Sequence, residues 1–156
     1  MEATETKVMS EEVSTGISVV IERPPQEVFA ALTNVAGHTD WSRGPEEITG
    51  ISDNPAHLGT TWQQASKLLG KKIVTTMQVK AYEENRKFGF GGDKPFPVQI
   101  LFTLSPVAQG TQLRMVANGE PASIFGKVAM PILTKSLERQ MESDLYALKG
   151  ILENGA

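Results

Sequence analysis

The sequence predicts an α+β fold: a curved, seven-stranded antiparallel sheet wrapped around one long C-terminal helix, with two short helices between the first and second strands. Three observations lead there. From Phe125 to Leu152 the apolar residues Phe125, Ala129, Leu133, Leu137, Met141, Leu145, Leu148 and Leu152 recur in steps of four with a single step of three, which keeps one face of a helix apolar. Between Glu46 and Asn118 six strand-like segments each carry one apolar face and are joined mostly by hairpin-length links, so they form an antiparallel meander. Ahead of them a single strand is cut off by Pro24-Pro25 and followed by two short helical stretches. A twisted sheet of this size curls, and one amphipathic helix can lie on its concave side.

Taken in order, residues 1–12 are polar and aperiodic and read as a disordered tail, leaving 13–156 as one domain. Gly16–Glu22 is the first strand, with Ile17, Val19 and Ile21 on one face. Gln26–Asn34 is a short helix with Val28, Phe29 and Leu32 apolar; Asn34–Gly44 is a second short helix or turn holding His38, Asp40 and Trp41. Strands then follow at Glu46–Ile51, Thr60–Leu68, Lys72–Tyr82, Lys87–Gly91, Phe96–Leu104 and Thr111–Asn118, with turns at Gly70–Lys72, Glu83–Arg86 and Pro106–Gly110. The last element spans Ala122–Glu153. Pro131 has no N–H to donate and should kink or restart it. From there to Glu153 the rod is about 33 Å long, the span of a small domain. Val128, Ile132 and Ile151 are read as widening the apolar stripe, and Lys135, Glu138, Arg139, Glu142 and Lys149 mark the wet face. Leu137, in mid-stripe, is expected to tolerate no charge.

The 156 residues can bury a core, and 40% apolar with 21% charged residues indicates a globular chain. A net charge of −3 without a basic stripe points away from nucleic acid. Cysteine is absent, which excludes disulfides, thiol nucleophiles and thiolate metal sites and agrees with a cytoplasmic protein. No stretch approaches the roughly 18 apolar residues of a membrane span, so no stable membrane insertion is expected. His38 and His57 lack ligand spacing, so neither a metal nor another cofactor is expected. The glycines of GFGG at 89–92 are followed by a predicted strand rather than a helix, and read as a strand bend and loop instead of a phosphate cradle.

Several stretches in this order resemble the START/Bet v 1-like (SRPBCC) superfamily, in its bacterial polyketide cyclase/dehydrase and lipid-transport branch. They are SVVIERPPQEVFAAL at Ser18–Leu32, Asp40-Trp41, LGTTW at Leu58–Trp62, LSPVAQGTQL at Leu104–Leu113 and RQMESDLYALKGILE at Arg139–Glu153. The resemblance implies a helix-grip fold with a cavity between the sheet and the C-terminal helix. It implies ligands that are lipids, sterols or aromatic polyketides, with cyclisation or dehydration catalysed by a minority of members. It carries over no catalytic residue.

Within that frame Trp41, Trp62, Thr75, Met77, Phe88, Phe90, Phe102, Met115, Leu133 and Leu137 are the candidate ligand-binding residues, since an apolar wall with a few polar groups suits an apolar or aromatic ligand. Each aromatic or Met taken singly is more commonly plain core. Trp62 shares strand parity with Gln64 and Ser66, and Thr75 would be a hydroxyl among apolar groups. The acid–base candidates are His38, Asp40 and Glu120. His38 reads either as a general acid or base oriented by Asp40, or, more commonly, as a polar helix-end residue; Glu120 reads as a pocket-mouth acid or a solvated turn. The balance favours a protein that binds a small hydrophobic ligand, as monomer or weak homodimer. A cyclase/dehydratase-type enzyme and an interaction module with a collapsed cavity are the alternatives.

Overall fold

The computed structural model describes residues 12–155, so the predicted tail lies, but for Glu12, outside the described residues. β1 (Val13–Ile21) leads to α1 (Pro25–Thr33), a 3₁₀ turn (Val35–Asp40) and β2 (Pro45–Thr49). The meander β3 (Thr61–Leu68), β4 (Lys71–Glu83), β5 (Lys87–Gly92), β6 (Val98–Val107) and β7 (Gly110–Gly119) follows. The chain ends with α2 (Ala122–Phe125), a second 3₁₀ turn (Lys127–Ala129) and α3 (Met130–Asn154). Among the described residues seven strands form one antiparallel sheet in the order β1-β7-β6-β5-β4-β3-β2. This is the helix-grip architecture.

Register follows from short turns. Leu69 and Gly70 both have positive φ, which makes the β3–β4 connection a two-residue loop matched to the strand twist, so Lys71 and Lys72 belong to β4 and not to the turn. The β6–β7 ladder runs on to Val107↔Gly110, so Pro106 and Val107 are strand rather than turn. The sheet bends at β5. A side chain on Gly92 would strike the Thr76 carbonyl, and opposite Phe90 and Gly89 the β4 register shifts between Val79 and Ala81. Glycines that let backbones close in, next to a bulge, are how a sheet curls. The GFGG stretch is thus entirely strand and holds no loop.

The long helix is not continuous from Ala122. Gly126, at φ +84°, breaks it, and the main helix restarts at Met130 with Pro131 in its first turn, where a missing N–H is harmless. Its 25 residues make a rod of about 37 Å. Met141, Leu145 and Leu148 are fully buried against the main core. Two side chains assigned to the stripe are outside it: Ile132 lies in solvent on the helix face opposite Met130 and Leu133, and Val128 in the 3₁₀ turn after the break at Gly126. Leu137 is only half-buried: it packs against both apolar clusters on one side and borders the cavity on the other.

α3 runs along the edge strand β1. Lys149 Nζ donates to the Val20 carbonyl at 2.6 Å and to Glu153 Oε2 at 2.6 Å. The Glu22 N–H donates to the same carboxylate at 2.7 Å, and Arg23 Nη2 to the Glu153 carbonyl at 2.8 Å. Lys149, assigned to the wet face, therefore covers a sheet edge. The Lys149 bond, then the Glu22 N–H, holds the Glu153 carboxyl below its ordinary value. At the closed end Val28, Phe29 and Leu32 of α1 are buried, with Phe29 edge-on to Tyr82 at 5.4 Å and to Phe88 at 6.4 Å.

Leu145→Ala should lose about 2–5 kcal/mol through the cavity it leaves, and Leu137→Ala distinctly less. Urea unfolding of the two variants checks this; equal losses would mean that Leu137 does not border open space.

Candidate functional site

Between the sheet and α3 lies a cavity of about 180 Å³, room for far more than a single water. Its aromatic wall is Trp41 from the segment after the 3₁₀ turn, Phe90 of β5, Phe96 from the segment before β6 and Phe102 of β6. Phe90 sits 6.5 Å from Phe102, and Trp41 meets Phe102 edge-on at 6.3 Å. Met77, Met115 and Met141 add flexible thioethers, and Leu133 and Leu137 close it from α3. Alternation along the strands puts these residues on the inner face: Ile73, Thr75 and Met77 share one parity of β4 and are all buried.

Polar groups enter at a few points. Thr75, Gln64 and Ser66 come from β4 and β3, Gln140 and Asp144 from α3, and Ser42 from the segment before β2. Asp144 is only 1% exposed. Its Oδ2 accepts the Ser42 hydroxyl at 2.9 Å and its Oδ1 accepts the Arg43 N–H at 3.0 Å. Burial pushes this carboxyl above the ordinary aspartate value, against the Arg43 N–H, the Ser42 hydroxyl and the Arg43 charge, which pull it down. Asp144, Ser42 and Gln140 were not found from sequence. Asp144 sits among Met141, Leu145 and Leu148 on the apolar stripe, and a carboxylate on that face was the available signal.

His38 is buried, edge-on to Trp41 at 5.3 Å and to Trp62 at 6.4 Å. Its Nε2 lies 2.6 Å from the Leu32 carbonyl. A carbonyl only accepts, so Nε2 carries the proton, and in the neutral ring Nδ1 keeps its lone pair. Burial lowers the His38 pKa to about 4, against the Leu32 bond, which raises it. The pairing with Asp40 does not exist: Asp40 ends the 3₁₀ turn in solvent while His38 turns inward to Leu32. His38 does lie in the last turn of the 3₁₀ helix, as the other reading has it, but its ring is buried. Glu120 is exposed, outside the cavity lining, and its N–H donates to the Pro97 carbonyl.

Of the ten candidate binding residues, eight line the cavity: Trp41, Thr75, Met77, Phe90, Phe102, Met115, Leu133 and Leu137. Trp62 and Phe88 do not. Trp62 stands one layer behind, its ring 5.0 Å from Phe90 and its Nε1–H donating to Gln64 Oε1 at 3.1 Å. Phe88 is packed between Phe29 and Phe90. Strand parity assigns a face but not a depth. Among the described residues no group of three or more His, Asp or Glu side chains is placed to hold a metal ion.

The family described as polyketide cyclase / dehydrase and lipid transport matches residues 12–153. Solved structures with this fold include the Zhui aromatase/cyclase from Streptomyces sp. R1128, at 15% identity over 91% of this chain and 94% of that one, TM-score 0.74. TTHA0849 from Thermus thermophilus is similar at 18% identity over 93% and 99%, TM-score 0.73. Ara h 8.0201 is similar at 13% identity over 92% and 99%, TM-score 0.62. At these identities the likeness is one of fold. No curated protein matches the chain.

The buried His38 makes stability depend on pH. Its folded pKa, about 4, lies below the ordinary histidine value of 6.5, so the unfolded chain binds the proton first as pH falls. The contribution is complete above pH 6.5 and is lost on the way down to pH 4, on the order of 3 kcal/mol. The raised pKa of Asp144 acts in the opposite sense: protonation on acidification favours the folded state until its unfolded pKa is passed. His38→Gln should therefore flatten the fall in stability between pH 6.5 and about 4, and denaturant midpoints against pH for both proteins measure it. Parallel curves would mean that His38 is solvated.

Proposed function

We propose a ligand-binding role on one premise: the chain belongs to the polyketide cyclase / dehydrase and lipid transport family, within the SRPBCC superfamily. The ligand is one small hydrophobic or amphipathic molecule, lipid-like or aromatic, held between the sheet and α3. The observation that carries this reading is the cavity wall: aromatic rings, thioethers and aliphatic side chains over most of it, with polar side chains grouped at Gln64, Ser66 and Thr75 and at Ser42, Gln140 and Asp144. Such a lining favours an apolar body through burial, at ~25 cal/mol per Å² before the costs of ordering. The Thr75, Gln64 and Ser66 groups fix the orientation of a polar end. Trp41, Phe90 and Phe102 suit a planar ring as well as an acyl chain.

Native mass spectrometry of the purified protein, followed by denaturation and analysis of the released small molecules, tests the reading directly. A stoichiometric apolar passenger is expected. Ala117→Trp, which pushes a ring into the cavity from β7, should cost about 1–3 kcal/mol of stability and expel that passenger. An empty wild-type protein whose melting temperature ignores a lipid and aromatic library would replace this reading with the interaction-module one.

One observation favours a second reading, an acid–base enzyme of the cyclase or dehydratase type. His38 and Asp144 line the same cavity, where burial favours the neutral form of each: an unprotonated imidazole and a protonated carboxyl. Neutral His38 would accept a proton through Nδ1. On this reading His38→Gln abolishes turnover of an enolisable polyketide analogue while binding, followed by tryptophan fluorescence, survives. Retained turnover removes His38 from the chemistry.

A further inference from the structure

Among the described residues eight large apolar side chains are exposed, and four of them lie at one corner: Leu69 (53%), Ile124 (38%), Val128 (91%) and Ile132 (62%). Leu69 is half of the β3–β4 turn. Its neighbour Leu68 packs on the small cluster built by Val13, Met130 and Leu133 with Phe125 and Ala129. Ile124, Val128 and Ile132 are carried by α2, the second 3₁₀ turn and the first turn of α3, the segments that supply most of that cluster. The turn and the helical corner are therefore neighbours, and their exposed apolar groups share one end of the molecule. Scattered exposed apolar residues need no explanation, but a grouped set does.

Folding does not ask for these residues. Leu69 sits at φ +49°, where Gly or Asn is the favoured choice and a bulky side chain is strained. Val128 follows Gly126, whose φ of +84° turns the segment outward. Charge completes the pattern. Residues 66–73 hold Lys67, Lys71 and Lys72, and residues 121–137 hold Lys127 and Lys135, with no Asp or Glu in either stretch, in a chain of net charge −3. The β3–β4 turn in particular is basic, in a chain of net negative charge. Lysines interleaved with exposed aliphatic side chains complement an anionic lipid surface, where the apolar groups enter the interface and the ammonium groups meet phosphates.

We propose that this corner docks the protein peripherally on anionic bilayers, with Leu69, Val128 and Ile132 entering the headgroup layer and Lys67, Lys71 and Lys72 facing the lipid phosphates. The same end borders the cavity, which Lys67, Leu68 and Leu133 help to line. Docking rests on the surface alone and not on what the cavity holds.

The test is flotation of the full chain with vesicles of phosphatidylcholine alone or mixed with phosphatidylglycerol. The protein should float with the anionic vesicles only and be released by high salt, which screens the lysines. Val128→Ser with Ile132→Ser, and separately Lys71→Gln with Lys72→Gln, should each reduce flotation several-fold with an unchanged melting temperature, because all four side chains are exposed. Equal behaviour with both vesicle types would overturn the proposal, as would anionic binding indifferent to both double variants. So would a dimer in ultracentrifugation that Ile132→Ser disperses while the vesicles leave the protein in solution.

Discussion

The carboxylate of Asp144 is the contact on which the cavity depends. It stands on the buried face of α3, where a leucine would ordinarily lie, and both of its oxygens are engaged by the segment that leads into β2. A buried carboxylate is tolerated only when hydrogen-bonded, so this pairing fixes α3 against Ser42 and Arg43 in one geometry. On its other flank the helix is fixed to β1, at the opposite edge of the sheet, through Lys149 and Glu153. The helix thus spans from one edge of a curved sheet to the other, tied at both. Apolar packing alone would draw it down onto the strands. The two lateral attachments, with the curl at Gly89–Gly92 and the β4 bulge, are consistent with space remaining beneath it.

Burial has opposite effects on the two titratable groups at that space. It disfavours whichever form is charged, and so lowers His38 and raises Asp144 from a single cause. The Leu32 carbonyl is not strong enough to restore the imidazolium, and it settles the tautomer instead. The result is a neutral ring at physiological pH among Trp41, Trp62 and Phe90. Such a group is compatible with an apolar ligand, which a charged histidine would not be. The same neutrality leaves a lone pair for proton transfer, so binding and acid–base readings draw on one physical fact.

The elements themselves were legible because each rests on a local period. Steps of two along β4 placed Ile73, Thr75 and Met77 inward, and steps of four and three placed Met141, Leu145 and Leu148. What the period omits was not legible. Asp144 lies between Met141 and Leu145, and a reading that counts apolar positions passes over the polar one on the same face. His38 and Asp40 are close in sequence, yet a 3₁₀ turn sends the first into the core and the second into water. Trp62 and Phe88 have the right parity but stand one layer back, a matter of sheet curvature that no single strand encodes. Val128 and Ile132 were counted in the apolar pattern and lie outside: Val128 belongs to a separate 3₁₀ turn after the break at Gly126, and Ile132 is out of helical phase with buried Met130 and Leu133.

The two halves of α3 are held by different kinds of force. Asp144, Lys149 and Glu153, in the C-terminal half, make directional bonds at 2.6–3.0 Å that lose their value with small displacements. Met130 and Leu133, in the first turn, rest against Val13 and Leu68 by apolar contact, which is non-directional and changes little as the surfaces slide. No side chain caps the helix N-terminus, and two short pieces broken at Gly126 precede it. Of the α3 side chains that line the cavity, Leu133, Leu137, Gln140 and Met141 belong to the first half and Asp144 to the second. The adjustable half adjoins the end of the cavity bounded by Leu68 and Leu133, and it is this half that carries the exposed Val128 and Ile132. One helix is thus secured by directional bonds toward its C-terminal end and mainly by packing at its start.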